Sequence, residues 1–212
     1  MRLAHDPTAV AALRVPTPEA PLRVLVSGCL AGLPCGIDGT DYGMGKLLFE
    51  LLALPTVKAF PFCPEDTGIG TPRTMPDIHG GDGFGVLDGT ARVLDEHGKD
   101  LTEPMLVGAR AMAAHAKMHR IELALLTDMS AACGSQVISD GCRLVKDRKY
   151  QKGVGVATAT LLRAGVPVVS QRDYRTVALV RAILEPGFVP EAGLKDHQDF
   201  EWTVSYFAKA GG

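Results

Sequence analysis

Four short apolar runs, LRVLVS (22–27), TVKAFPF (56–62), IELALLTD (121–128) and VPVVS (166–170), constrain this chain most. Each is long enough for one strand, and near-continuous apolar character marks strands covered on both faces rather than one. Between them lie segments with helical spacing: MGKLLFELLAL (44–54), EPMLVGARAMAAHAKMH (103–119) and VGVATATLLRAG (154–165). This alternation predicts an α/β fold, a three-layer, mostly parallel, Rossmann-like sheet with helices on both faces. Segment 63–90 is dense in Gly and Pro and reads as a long loop leading into a small β-hairpin insertion around Gly85–Val93. Thr102 reads as the cap of the helix that follows.

A length of 212 residues suits one domain. Its expected limits are 22–172, preceded by an N-terminal extension, 1–21, interrupted by Pro16 and Pro18 and closed by Pro21. A C-terminal helical extension, 173–212, holds expected helices near 174–184 and 199–209 and is expected to pack on the domain through Trp202, Tyr206 and Phe207. The formal net charge is −2, and no basic run resembles a nucleic-acid footprint. That excludes DNA as an expected partner and argues against tRNA, because phosphate contacts need a basic surface. No stretch approaches the roughly 20 apolar residues of a membrane span, so a cytoplasmic location is expected. In a reducing compartment, the five cysteines read as thiols or metal ligands rather than a disulfide framework.

The positions of those cysteines are informative. Cys29 lies two residues past the first run, Cys63 directly follows the second, and Cys133 lies five residues past the third. Loops that follow parallel strands emerge at one edge of the sheet, where ligands bind, so the three thiols are expected to meet. Taken singly, each would as readily be a small buried hydrophobe. Cys35, in the first loop, reads as a fourth ligand or reserve thiol, and Cys142 as structural or incidental. His115 and His119 have i,i+4 spacing but lack the Glu of a zinc-protease motif, so they read as a solvated face or helix-end charge. His79, in the long loop, is placed to approach the site. Three thiolates suit zinc with an open fourth position, and they equally suit a four-iron cluster with one iron lacking a protein ligand. Glycines in GCLAGLPCG do not form the G-x-G-x-x-G opening of a dinucleotide site.

VSGCLAGLPCGIDG (26–39), FCPEDTGIGTPRTMPDI (62–78) and MSAACGS (129–135) resemble the bacterial thiouracil desulfidase family, as do VLDGTARVLDEHGKDLTEPMLVGA (86–109) and GVGVATATLLRAGVPVVS (153–170). The likeness runs in order over residues 22–172. Departures from the family pattern are SAACGS for SPSCGS, PRTMPDI for PRPPAEI, and Gly36 and Ile37 before the Asp-Gly turn. The resemblance implies a [4Fe-4S] cluster on Cys29, Cys63 and Cys133, with an open iron for the sulfur of a small thiolated pyrimidine, removed hydrolytically without net redox change. It further implies Glu65 as the proton carrier and Ser130 as a group positioning substrate or water. Asp38 and Arg73 are taken as substrate-side residues, with Asp38 equally readable as part of an Asp-Gly turn, Arg73 as holding an anionic substrate or a backbone carbonyl, and Ser130 as a turn former. A non-catalytic iron–sulfur sensor or sulfur carrier, and a zinc hydrolase on the same cysteines, are the competing readings.

Overall fold

The computed structural model of the chain describes residues 7–210. In chain order the elements are α1 (Pro7–Ala11), β1 (Leu22–Ser27), α2 (Gly45–Leu52), β2 (Val57–Phe62), α3 (Pro64–Gly68), β3 (Asp77–His79), α4 (Gly83–Leu87), β4 (Arg92–Leu94), α5 (Thr102–Met118), β5 (Leu123–Leu126), β6 (Val137–Asp140), β7 (Lys149–Lys152), α6 (Val156–Arg163), β8 (Val168–Ser170), α7 (Tyr174–Leu184) and α8 (Glu201–Ala210). A single 3₁₀ turn, His197–Asp199, precedes α8.

The four apolar runs form one parallel sheet, ordered β2-β1-β5-β8. Successive residues of a strand point to opposite faces, and the core divides accordingly. Leu25, Ala124, Leu126 and Val168 join the layer built from α4, α5 and α6. Leu22, Val24, Val26, Leu123, Leu125 and Val169 join the opposite layer with α2 and α7. The expected three-layer, Rossmann-like arrangement is present. Pro61 is tolerated because β2 lies at the sheet edge, where a missing N–H donor disrupts no ladder on its outer side.

The insertion differs from expectation. Its hairpin strands are β3 and β4, and Gly85 lies not in a strand but in α4, whose N-terminus is capped by Asp82 accepting from Phe84 and Gly85 N–H. Thr102 is not the cap of α5; it is that helix's first residue, its N–H bonded to Asp100 and its hydroxyl accepting from Val93 N–H. A second antiparallel hairpin, β6–β7, lies between β5 and α6. The C-terminal aromatics do pack on it: Tyr150 N–H donates to the Tyr206 hydroxyl at 2.8 Å, and its ring sits edge-on to Trp202. His115 and His119 sit at the end of α5, both half-buried, with the His115 ring 5.0 Å from that of Phe62 and 4.4 Å from that of His119.

Helices α3 and α5 meet backbone to backbone. A methyl group on Gly108 would lie 1.9 Å from the Pro64 carbonyl oxygen, and one on Gly68 would lie 2.0 Å from that of Pro104. Gly108→Ala therefore forces the helices apart and is expected to destabilise by about 2–3 kcal/mol, as overpacking does. For a chain this long that lowers the melting temperature by about 5–10 °C, which a thermal scan checks.

Candidate active site

A cavity of about 270 Å³ opens at the carboxyl edge of the sheet. Its walls come from the loops after β1, β2 and β5, and Cys29, Cys63 and Cys133 all line it. Cys35 lines it as well, while Cys142 does not. Each thiol is placed by its own local rule. Cys63 is the N-cap of α3, its sulfur accepting from Asp66 N–H, with Pro64 at the first helical position. Cys29 lies one turn beyond β1, its sulfur 3.2 Å from the Thr127 hydroxyl. Cys133 follows a turn in which Ser130 Oγ accepts from Ala132 and Cys133 N–H, both at 3.0 Å.

Glu65, on the first turn of α3, is buried beside these thiols. Both of its carboxylate oxygens are engaged. Arg73 donates to Oε2 through Nη2 at 2.7 Å and Nε at 3.1 Å, and the Ser130 hydroxyl donates to Oε1 at 2.8 Å. Ser130, giving one hydrogen bond and accepting two, has no capacity left. Arg73 also donates to the Cys35 and Gly70 carbonyls and to Thr71 Oγ1, tying two loop segments to one guanidinium. Its side chain is 4% exposed. Arg73→Met would leave Glu65 buried without its counter-charge. It is expected to cost about 3–5 kcal/mol, read as the loss in unfolding free energy by denaturant titration.

Asp38 stands apart. It is exposed, outside the cavity lining, and its carboxylate closes a turn by accepting from Thr40 N–H and Oγ1 at 3.0 and 2.7 Å. Its neighbour Ile37 lines the wall instead. His79 does not line the cavity either and lies against Gly141. Sequence reasoning missed Thr127, Asp128 and Arg143, all of which line it. Arg143 Nε pairs with Asp77 at 2.6 Å while its Nη1 holds the Met129 carbonyl at 2.8 Å. The single available signal for this pair was Asp77 inside the PRTMPDI block.

Electrostatics restrict the chemistry. Burial pushes the Cys29 and Cys63 thiols up, and pushes Cys35 up to about 12, with the neighbouring Cys63 adding to it. Cys133 is raised well above its ordinary range by burial and by the Glu65 charge. A cysteine acting as a free thiolate nucleophile needs the opposite shift. These are thiols that would give up their protons to a metal. The donor set fits a soft one: four thiols and no histidine line the cavity, and both carboxylates are held by hydrogen bonds. Among the described residues, no three His, Cys, Asp or Glu side chains gather closely enough to hold a single ion.

Thiols at the carboxyl edge of a parallel sheet, around an arginine-held carboxylate, define an α/β protein with a sulfur-lined cavity. The chain belongs to the 2-thiouracil desulfurase family, whose model matches residues 24–173, and it is an enzyme of that kind. It is 34% identical over 155 residues to YbbK, an uncharacterised protein of Bacillus subtilis (strain 168), covering 73% of this chain and 99% of that one. Among solved structures, the [4Fe-4S]-dependent thiouracil desulfidase TudS matches with a TM-score of 0.63 at 30% identity, over 77% of this chain and 99% of that one. The likeness carried by the sequence motifs is thus borne out. No described helix is long and apolar enough to cross a membrane.

Proposed function

We propose that the enzyme removes sulfur from a small thiolated pyrimidine, of the 2-thiouracil type, by hydrolytic, non-redox desulfuration with a [4Fe-4S] cluster on Cys29, Cys63 and Cys133. The observation that carries this reading is the meeting of these three thiols with an arginine-held Glu65 in one cavity. When bound, a cluster held by three thiolates offers an open iron that polarises a soft thiocarbonyl.

The protein's own residues supply the rest. Replacing C=S by C=O consumes one water and releases one hydrogen sulfide, so no electrons are gained or lost and only protons move. Glu65 is the group positioned to take a proton from water as it adds to the thiocarbonyl carbon, and to return it as the C–S bond breaks. Arg73 and Ser130 fix its orientation before substrate arrives. Phe62, Met75 and Met129 provide apolar wall that suits a flat heterocycle and excludes bulk water.

The test is anaerobic loading of the purified chain with iron and sulfide, followed by iron and sulfide analysis and hydrosulfide release from 2-thiouracil. Four irons per chain with catalytic release is the expected result. Four irons without release from thiolated pyrimidines would overturn the substrate reading and move the protein toward a sensor or carrier. Failure to take up iron would overturn the cluster.

A further inference from the structure

Past residue 173, where the family match ends, the chain returns to the cavity through one buried contact. His197 Nδ1 lies 2.6 Å from Asp128 Oδ2, with the two side chains 1% and 0% exposed. A carboxylate only accepts, so Nδ1 carries the hydrogen. The His197 ring is held by Phe200, 5.3 Å away, and lies nearly parallel to Trp202, 12° off and at 6.2 Å. Its backbone N–H donates to Asp173, which also receives the Gln136 side chain.

Asp128 lines the cavity, and its other oxygen does different work. Oδ1 accepts from Met129 and Ser135 N–H, both at 2.9 Å, and from Gln136 N–H at 3.4 Å. One carboxylate oxygen therefore joins both ends of the loop that carries Ser130 and Cys133. Met129, at the start of that loop, has φ 59°, a left-handed conformation that costs a non-glycine residue roughly 1–2 kcal/mol and has to be held from outside. Burial raises the Asp128 carboxyl, but the His197 hydrogen bond and charge and the loop N–H groups outweigh it and lower it overall, keeping a full anion for the loop.

We infer that His197 is a positioning residue: it orients Asp128, which in turn fixes the Met129–Gln136 loop and sets Ser130 and Cys133 for desulfuration. The C-terminal segment is then a working part of the active site rather than packing alone. This rests on the reading of Ser130 and Cys133 given above, so its test includes a measurement that does not need turnover.

His197→Phe keeps a ring beside Phe200 and Trp202 but removes the donor. In the full chain before cluster loading, Cys133 is 6% exposed and should react slowly with iodoacetamide, as followed by peptide mass spectrometry. His197→Phe is expected to speed its alkylation by about tenfold or more, in line with losses on removing an outer partner of a ligand, and to leave Cys142 unchanged. His197→Asn places an amide N–H close to the Nδ1 position and should bring the rate back toward wild type. On loaded protein, kcat per iron for 2-thiouracil should fall with His197→Phe while KM holds, and Asn should restore it. Unchanged Cys133 reactivity with His197→Phe would overturn the inference, as would equal acceleration at Cys133 and Cys142, which signals general loosening. If His197→Phe fails to fold, His197→Asn against His197→Gln repeats the comparison, with the donor at the right reach and one bond too far. A wild-type protein that releases no hydrosulfide would sink the desulfidase reading, while the alkylation series would still decide the role of His197.

Discussion

Glu65→Gln is expected to lower hydrosulfide release from 2-thiouracil by about 100- to 10,000-fold, the range for removing a positioned proton carrier, while iron content stays that of the wild type. The substitution preserves shape. An amide oxygen can still accept from Arg73 Nη2 and Nε, the shorter of these bonds being 2.7 Å. The amide nitrogen then faces Ser130 Oγ, which already accepts from two backbone N–H groups, so a modest loss of stability accompanies the change. The decisive quantity is turnover per iron under anaerobic conditions. Turnover within a few-fold of wild type would remove Glu65 from the chemistry and leave it as the counter-ion of Arg73.

Cys133→Ala is expected to abolish cluster loading, leaving iron and visible absorption at background after anaerobic reconstitution. Cys133 sits between Ala132 and Gly134 on a buried turn, so alanine there opens little space and the chain should still fold. Cys35→Ala is the informative partner experiment. Cys35 shares the wall, and burial and the neighbouring Cys63 push its thiol up to about 12. If three cysteines hold the cluster, Cys35→Ala retains iron and Cys29→Ala and Cys63→Ala do not. Loss of iron with all four would make Cys35 a ligand and close the position proposed for substrate. Because raised thiols must shed protons to bind metal, loading should weaken as the pH falls.

The central sheet was legible because β1, β5 and β8, buried along almost their whole length, leave short continuous apolar runs, whereas edge strand β2 is half exposed and carries Lys58 within its run. The thiols were legible for a related reason: cysteines 104 residues apart come together once parallel strands are assumed. Short elements were not. The five residues of α3 and α4 carry no periodicity, and what holds them is a Cys63 cap, an Asp82 cap and tertiary contact. The polar β6–β7 hairpin is fastened from elsewhere in the chain, by Asp77 through Ser139 and Arg143 and by Tyr206. The Arg73–Glu65 pair and the His197–Asp128 pair are side-chain facts of the folded state. Their members lie eight and 69 residues apart, and no local pattern joins them.

The glycine contact between α3 and α5 bears on which substrates the enzyme can accept. With the Pro64 carbonyl seated where a Gly108 methyl would be, no side chain stands between the helices to be trimmed or enlarged. The wall carrying Cys63 and Glu65 therefore has a fixed standoff from the rest of the molecule. Room for a bulkier ring substituent has to come from the loop-borne lining residues Ile37, Tyr42 and Met75, whose side-chain size sets the boundary there. Selectivity among thiolated compounds can thus be retuned there while Glu65, the carboxylate proposed to move the protons, keeps its place.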